Sequence, residues 1–240
     1  MAGDTSGDNS SDKFTDLFPL SVYRDRLGVE VSQRKVLAQR ILDDEQRKPT
    51  PAEQETAWLG DTAGHEFLFD VPEFADLFEK IAASVKDYAT GIGMQTDRLN
   101  FYFQRSWATV SREGQRIFEH AHLQSHISFA YYLQKTSDAG GIYFSVAEHY
   151  NELAEGLFTI QKSDDGILAD GGCERSLNRR YLEPVEDEII IFPSKTLHST
   201  APNMTVTPRI SISADIVVTL KDSGGHETLM PPVERWKRFS

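Results

Sequence analysis

The chain has one cysteine, Cys173, among its 240 residues, and this excludes an internal disulfide framework. It also lacks a long hydrophobic run, because no segment approaches the ~20 apolar residues that cross a bilayer. The first thirty residues contain no apolar signal segment. We therefore expect a cytoplasmic protein without a membrane association, since a lone thiol fits a reducing compartment.

Basic residues are scarce as well. The chain has 25 Lys and Arg against 37 Asp and Glu, which gives a formal net charge of −12. Proteins that bind nucleic acids concentrate Lys and Arg to displace counterions, and no basic run interleaved with aromatics occurs here. The composition predicts no nucleic-acid partner. It does not exclude a small anionic ligand, because one well-placed arginine or a metal ion decides the local field.

Alternation with a period of two begins after Asp97 and predicts β-strands. The predicted strands cover residues 99–110, 127–134, 142–146, 189–192 and 209–220. The second and third of these, joined by Gly140-Gly141, resemble a hairpin. Because no helical pattern lies between the strands, a βαβ sheet is excluded, and a meander or jelly roll is favoured.

The region before the strands is polar at first and then helical. Residues 1–13 are too polar to fold and are predicted to form a disordered tail. Residues 14–240 are predicted to form a single domain, with helical support over about 30–90 and a barrel core over about 97–220. The strongest helical signal is an apolar stripe that ends near Gly91.

The most informative motif is His120-Ala121-His122. On an extended strand, side chains two residues apart point to the same face, so both imidazoles can bind one ion. His198, from a distant strand, can complete a facial metal site. A histidine pair alone is equally typical of the polar face of a half-buried strand, but further spaced motifs follow it.

These motifs together resemble the iron(II)/2-oxoglutarate-dependent dioxygenases over about residues 100–215. The motifs that carry the resemblance are His120 to Ser125 (His-x-His-x-x-Ser), Tyr131-Tyr132-Leu133, Phe192 to His198 (Phe-Pro-Ser-x-x-x-His), Pro202-Asn203 and Arg209 to Ser213 (Arg-Ile-Ser-Ile-Ser). The resemblance implies a mainly β protein with flanking helices, folded as a double-stranded β-helix, the cupin-like jelly roll. It also implies Fe(II) as cofactor, 2-oxoglutarate as co-substrate, and hydroxylation of a small molecule or side chain with release of succinate and CO2.

The resemblance implies His120, His122 and His198 as metal ligands, with no further catalytic residue. His122 departs from the pattern of the superfamily, which usually has Asp or Glu at that position to complete two histidines and one carboxylate. Either His122 binds the metal, or water fills that position and His122 lines the pocket. We favour ligation by His122.

Three residues are expected to hold 2-oxoglutarate. Arg209 suits the distal carboxylate, because a guanidinium stays charged and forks onto a carboxylate bidentately. Ser211, two residues on and on the same face, can add a hydroxyl donor, and Tyr132 can supply a third contact. An arginine considered alone is more often part of a surface ion pair, and either tyrosine can serve packing only.

Two other functions remain open at this stage. A cupin-like metal dioxygenase or isomerase would not use 2-oxoglutarate and would place His126 on the metal. A non-catalytic jelly-roll binding protein would retain the histidines as a remnant. The substrate is expected to be a small molecule of unknown identity, with Phe103, Trp107 and Phe129 as candidates to line its pocket, and the chain is a possible homo-oligomer.

Overall fold

The computed structural model describes residues 13–51, 53–159, 167, 168, 173, 175–225 and 228–239. The predicted disordered tail, apart from its last residue, lies outside these ranges. The described residues form nine strands: β1 (Tyr23–Arg26), β2 (Trp58–Leu59), β3 (Leu99–Ser111), β4 (Ile127–Gln134), β5 (Ile142–Ser145), β6 (Arg179–Leu182), β7 (Glu188–Pro193), β8 (Leu197–Thr200) and β9 (Arg209–Leu220). The α-helices are α1 (Val31–Arg47), α2 (Gly60–Ala63) and α3 (Ala75–Gly91).

Two antiparallel sheets build the barrel. The large sheet has six strands in the order β1-β7-β4-β9-β3-β2, and the small sheet has three in the order β6-β5-β8. The pair β3 and β9 forms the long centre of the large sheet, with Leu99 opposite Leu220 at one end and Ser111 opposite Arg209 at the other. This arrangement confirms the predicted mainly β fold with flanking helices, a double-stranded β-helix.

The outer face of the large sheet carries the main hydrophobic core. Side chains of β4, β7 and β9 on this face pack with the apolar stripes of α1 and α3. Ile210 and Ile212 are fully buried there, as are Leu77 and Ile81 of α3. Full burial of such a side chain stabilises the fold by about 1.5–3 kcal/mol. The helices therefore brace the large sheet from outside and leave its inner face to the barrel.

A second, smaller core lies between the two sheets. It contains Tyr132, Ile190 and Phe192 from the large sheet and Ile142 and Phe144 from β5. Successive residues of a strand point to opposite faces. β7 therefore contributes Ile189 and Ile191 to the main core, and Ile190 and Phe192 to the smaller one. The small core closes the far side of the barrel and supports the strand that bears His198.

The predicted hairpin of residues 127–134 and 142–146 is wrong. β4 pairs with β7 and β9 in the large sheet, whereas β5 pairs with β6 and β8 in the small one. The intervening segment is a crossover, and Gly140 in it has a φ of +78°. A Cβ atom at Gly140 would lie 2.6 Å from the carbonyl oxygen of Pro202, so this crossover requires glycine on both counts.

A β-bulge in β3 also departs from the predicted alternation. The register against β9 shifts between Phe103 and Arg105. Residues before the bulge, among them Phe103, pack towards the helices, whereas Arg105 and Trp107 after it lie on the inner face. Because of the extra residue, odd-numbered residues of β3 face the helices before the bulge and the barrel interior after it.

No helix in the described part of the chain has the length and apolar character to cross a membrane.

Candidate metal centre and co-substrate pocket

The structure brings His120, His122 and His198 together. One ring nitrogen from each lies within 4.8 Å of the corresponding atoms of the other two. His120 and His198 form an isolated antiparallel bridge, in which each backbone N–H donates to the carbonyl of the other, at 3.0 and 2.9 Å. The backbone N–H of His122 donates to the carbonyl oxygen of Ser194 at 2.9 Å. The cluster is thus fixed by main-chain hydrogen bonds rather than by side-chain packing alone.

Hydrogen bonds at Nδ1 fix the orientation of all three rings. Nδ1 of His120 lies 2.8 Å from the carbonyl oxygen of Phe118, and Nδ1 of His198 lies 2.9 Å from that of Thr196. Because a carbonyl oxygen only accepts, both Nδ1 atoms must carry the proton. Nδ1 of His122 lies 2.6 Å from Oδ1 of Asp215, which also only accepts when ionised. In all three rings the unprotonated Nε2 is left for the centre.

The spacing at the centre fits a metal ion. Nε2 of His120 and Nε2 of His122 are 3.1 Å apart. Two nitrogens that bind one ion at ~2.1 Å and at right angles lie about 3 Å from each other. Without a cation between them, two lone pairs at this distance would repel. The donor set therefore fits a divalent transition metal held on one face.

Burial favours the neutral form of two of the imidazoles. It lowers the pKa of His198 from the ordinary 6.5 to about 3, and the neighbouring His120 ring adds to the effect. Burial also lowers the pKa of His120. A metal binds only the unprotonated ring nitrogen, so the lowered pKa values of His120 and His198 favour metal binding over protonation.

Asp215 is a functional candidate that the sequence motifs did not reveal. Its side chain is fully buried and accepts hydrogen bonds from His122, from Nε2 of Gln124 at 2.8 Å and from Oγ of Ser125 at 3.2 Å. Burial alone would raise the pKa of Asp215, but the hydrogen bond and charge of His122 together with Ser125 and Gln124 outweigh burial and lower it. The signal that could have found it is the alternation of polar residues at 209, 211, 213 and 215.

Aromatic rings form the walls of the centre. Trp107 stacks on His122 with ring centroids 5.5 Å apart and an interplanar angle of 16°. Phe192 meets His198 edge-on at 4.8 Å. Of the three aromatics expected to line the pocket, Trp107 alone lies beside the histidines. Phe103 and Phe129 belong to the core under the helices, because the bulge and the strand alternation turn them outward.

Arg209 is 2% exposed, so it lies inside the barrel instead of in a surface ion pair. Nη1 donates to the carbonyl oxygens of Ala139 and Ala201 at 2.7 and 2.9 Å. Nη2 donates to Oγ1 of Thr200 at 2.9 Å and to Oγ of Ser111 at 3.1 Å. Among the described residues no carboxylate lies within ion-pair distance of it, and burial lowers the pKa of Arg209. A buried cation with only neutral partners is costly unless an anion joins it.

Small side chains lie on the inner face of β9 between Arg209 and Asp215, the carboxylate that contacts His122. Ser211 and Ser213 follow Arg209 on the inner face of β9, and Tyr132 and Ala130 of β4 stand opposite them in register. Ser211, Ser213 and Ala130 are partly exposed, although Ile210 and Ile212 between them are fully buried. The structure thus groups Arg209, Ser211 and Tyr132 as the sequence suggested, on neighbouring positions of β9 and β4.

His126 is separate from the cluster. Its Nδ1 accepts a hydrogen bond from the backbone N–H of Val218 at 2.9 Å, so this nitrogen is occupied by the sheet. The group of possible ligands among the described residues contains His120, His122 and His198 and does not include it. The four-ligand arrangement expected of a cupin-like enzyme therefore does not match this geometry.

Residues 105–215 match the protein family described as "Putative 2OG-Fe(II) oxygenase". This segment, somewhat less than half of the chain, is similar to the 2OG-Fe(II) oxygenases. The matched segment runs from the bulge of β3 to Asp215 and contains all three histidines of the cluster and Arg209. No curated protein matches the chain.

Solved structures share the fold of this chain at low sequence identity. AviO1 from Streptomyces viridochromogenes Tue57 has a TM-score of 0.54 and 9% identity, over 89% of this chain and 92% of its own. The non-heme alpha-ketoglutarate-dependent carbocyclase SnoK from nogalamycin biosynthesis has a TM-score of 0.51 and 10% identity, over 88% of each chain. HygX from Streptomyces hygroscopicus, solved with iron bound, has a TM-score of 0.51 and 10% identity, over 82% of each chain. These likenesses concern the double-stranded β-helix alone.

Proposed function

We propose that this chain is a 2OG-Fe(II) oxygenase, which binds Fe(II) through Nε2 of His120, His122 and His198 and binds 2-oxoglutarate over the small residues of β9 between these histidines and Arg209. The observation that carries the proposal is the common orientation of the three rings. Each Nδ1 is tied to an outward acceptor, and each Nε2 is directed to a shared centre. Ligation by His122, rather than by a water in its place, is supported by the 3.1 Å separation of its Nε2 from that of His120.

Arg209 would attract the distal carboxylate of 2-oxoglutarate, but not through the bidentate fork expected from the sequence. Its Nη1 is committed to two main-chain carbonyls, which cannot turn away. Its Nη2 faces the hydroxyls of Thr200 and Ser111, which can rotate and donate to an incoming carboxylate. Ser211 and Tyr132 would then contribute hydroxyls from their neighbouring positions on β9 and β4. The carboxylate would neutralise the positive charge of the guanidinium, whose hydrogen-bond partners are otherwise neutral.

The chemistry is the oxidation of a small-molecule substrate. With Fe(II) and 2-oxoglutarate bound, dioxygen would be the oxidant: one oxygen atom would enter succinate as 2-oxoglutarate loses CO2, and the other would oxidise a C–H bond of the substrate. The chain holds the reactants in place and limits the access of water. Trp107 and Phe192 wall the histidines on two sides, and the fully buried inter-sheet core closes the end behind His198.

The test is an anaerobic titration with Fe(II), followed by 2-oxoglutarate, on the wild type and two histidine variants. The wild type should bind one equivalent of iron and develop a charge-transfer absorption on addition of 2-oxoglutarate. His198→Ala should lose both signals. His126→Ala is the matched control and should retain both, since its imidazole faces Val218 instead of the cluster.

Turnover separates the remaining alternatives. Oxygen added to the loaded wild type should release succinate, slowly without substrate and faster with it. Metal-dependent turnover that ignores 2-oxoglutarate would support a cupin-like enzyme. A wild type that retains no iron and releases no succinate would contradict the proposal and support a binding protein.

A further inference from the structure

The three proposed metal ligands lack the negative charge that a carboxylate ligand would supply. Two histidines and one carboxylate would reduce the charge of a divalent ion by one, whereas three neutral imidazoles leave it unchanged. Since the position of the usual carboxylate is held by His122, the missing charge must come from elsewhere or be absent. The nearest candidate is the carboxylate that contacts His122 from behind.

We propose that Asp215 is a positioning residue that supplies this charge through the His122 imidazole. The inference rests on the proposed function, because it requires His122 to bind iron. A carboxylate that accepts the Nδ1 proton of a ligating histidine makes the imidazole more basic and fixes its ring. Asp215 would thus act one residue further from the ion than the carboxylate of a His-x-Asp motif.

The contacts of Asp215 direct its charge towards His122. Its 2.6 Å contact with Nδ1 of His122 is shorter than its contacts with Gln124 and Ser125, both of which are neutral. Arg105 is the charged group that approaches it from β3, with Nη1 at 4.0 Å from Oδ2. Arg105 is already paired with Asp61 at 2.7 Å and lies 3.5 Å from Glu66, so its charge is balanced by other carboxylates.

The surroundings of Asp215 also make it a rigid support. It lies in the interior of the large sheet, with β3 and β4 paired on either side of β9 at this level. Trp107 stacks on the face of the His122 ring and opposes its rotation. The hydroxyl of Ser125 bonds to both Asp215 and Ser194, and this links the carboxylate to the segment before His198. The ring of His122 is therefore held at its edge and on its face.

The test is Asp215→Asn, which keeps the size of the side chain and removes its charge. We expect the Kd of Fe(II) to rise about 10- to 100-fold. We also expect the charge-transfer absorption of the Fe(II)–2-oxoglutarate complex to shift to higher energy, because a less basic His122 leaves the metal holding its electrons more tightly. A merely structural residue would weaken the fold without moving the position of this band.

Asp187→Asn is the matched control. Asp187 is also a buried carboxylate, and it accepts the hydroxyl of Tyr131 and the backbone N–H of Gly28 and of Val29 on the helix side of the sheet. Its substitution should lower the Tm and leave both the Kd of Fe(II) and the band position unchanged. If Asp215→Asn matches the wild type in both readouts while His198→Ala loses iron, this inference is overturned and the proposed function stands.

A measurement on the wild type covers the case in which Asp215→Asn fails to fold. The protein is labelled with nitrogen-15 at histidine and loaded with diamagnetic Zn(II) as a probe of the same ligands. We expect a slowly exchanging, strongly downfield proton on Nδ1 of His122. An Nδ1 of His122 that carries the metal, or that exchanges its proton as fast as an exposed imidazole, would overturn the inference. If Zn(II) and Fe(II) both fail to bind, the proposed function falls with it.

Discussion

The two faces of β9 divide the work of this molecule. The outward residues are apolar and fully buried against the helices, and they are Ile210, Ile212, Ala214 and Ile216. The inward residues are polar and line the barrel, and they are Arg209, Ser211, Ser213 and Asp215. One face supplies stability, and the other holds groups whose burial costs free energy. The site therefore depends on the opposite face of the same strand for its rigidity.

The same division holds on β4, with adjacent tyrosines. Tyr131 points to the helix side and donates its hydroxyl to Asp187 at 2.8 Å. Tyr132 points into the barrel, where it packs with Phe192 and stands opposite Ser211. Substitutions of neighbouring residues can therefore separate stability from ligand binding, because each pair shares a backbone and differs in the face it serves.

The largest effect on stability is expected from Ile212→Ala. This fully buried side chain is part of the main core, and its truncation should lower the free energy of unfolding by about 2–5 kcal/mol. The matched substitution is Ser213→Ala on the inner face, which should change it by less than about 1 kcal/mol. Urea unfolding measures both. Equal losses from the two variants would contradict the division of the strand.

Arg209→Ala should impair ligand binding by the inner face of β9, at the end of the strand opposite to Asp215. Loss of a charged hydrogen-bonding partner should weaken the binding of 2-oxoglutarate by about a hundredfold, equivalent to about 3 kcal/mol. The affinity for Fe(II) should stay within a few-fold, because the guanidinium does not contact the histidines. Arg112→Ala is the control, since Arg112 pairs with Glu45 of α1 instead. Unchanged binding of 2-oxoglutarate by Arg209→Ala in the anaerobic iron complex would refute its assignment.

Much of this arrangement could be predicted from the sequence, because regular alternation is a local property. The strands at 99–111, 127–134 and 209–220 follow directly from it. The fold followed from the motifs, and so did the approach of His120 to His198. The partnership of β4 and β5 could not be predicted in this way, since two strands joined by a short glycine turn can pair or cross between sheets, and tertiary packing decides.

The bulge and Asp215 mark the limit of such reasoning. One extra residue after Phe103 reverses the face to which every later residue of β3 points. The alternation of apolar and polar residues does not predict this bulge. Asp215 continues the polar parity of β9, but its meaning depends on His122, which is 93 residues away in the chain. A contact of this kind becomes visible when the fold brings the two segments together.

The inner face should also give the metal-free protein a pH dependence that the outer face cannot. Above pH 6.5 His198 is neutral in both the folded and the unfolded state. Below pH 6.5, His198 takes up a proton in the unfolded chain. It does not do so in the folded chain, because its pKa there is lowered to about 3. The stability should therefore fall as the pH drops from 6.5 towards 3, by about 1 kcal/mol per pH unit from this residue.

Urea unfolding of metal-free protein at pH 7 and pH 5 measures this effect. Other groups titrate in the same range, so the comparison is between the wild type and His198→Gln, which cannot take up a proton. The variant should lose less stability between the two pH values than the wild type does. Parallel losses would mean that His198 titrates normally in the folded protein.

The smallest effects come from the two tyrosines, and they test the division most finely. Tyr132→Phe removes one hydroxyl from the proposed wall of the 2-oxoglutarate site, which should weaken 2-oxoglutarate by up to about tenfold with little loss of stability. Tyr131→Phe removes the hydroxyl that Asp187 accepts, so it should cost about 1 kcal/mol of unfolding free energy and leave 2-oxoglutarate binding unchanged. Each variant is the control for the other, because both lose a single oxygen from adjacent positions of β4. If both variants lose stability and neither loses affinity, Tyr132 serves packing alone, and the co-substrate wall is formed by β9 without it.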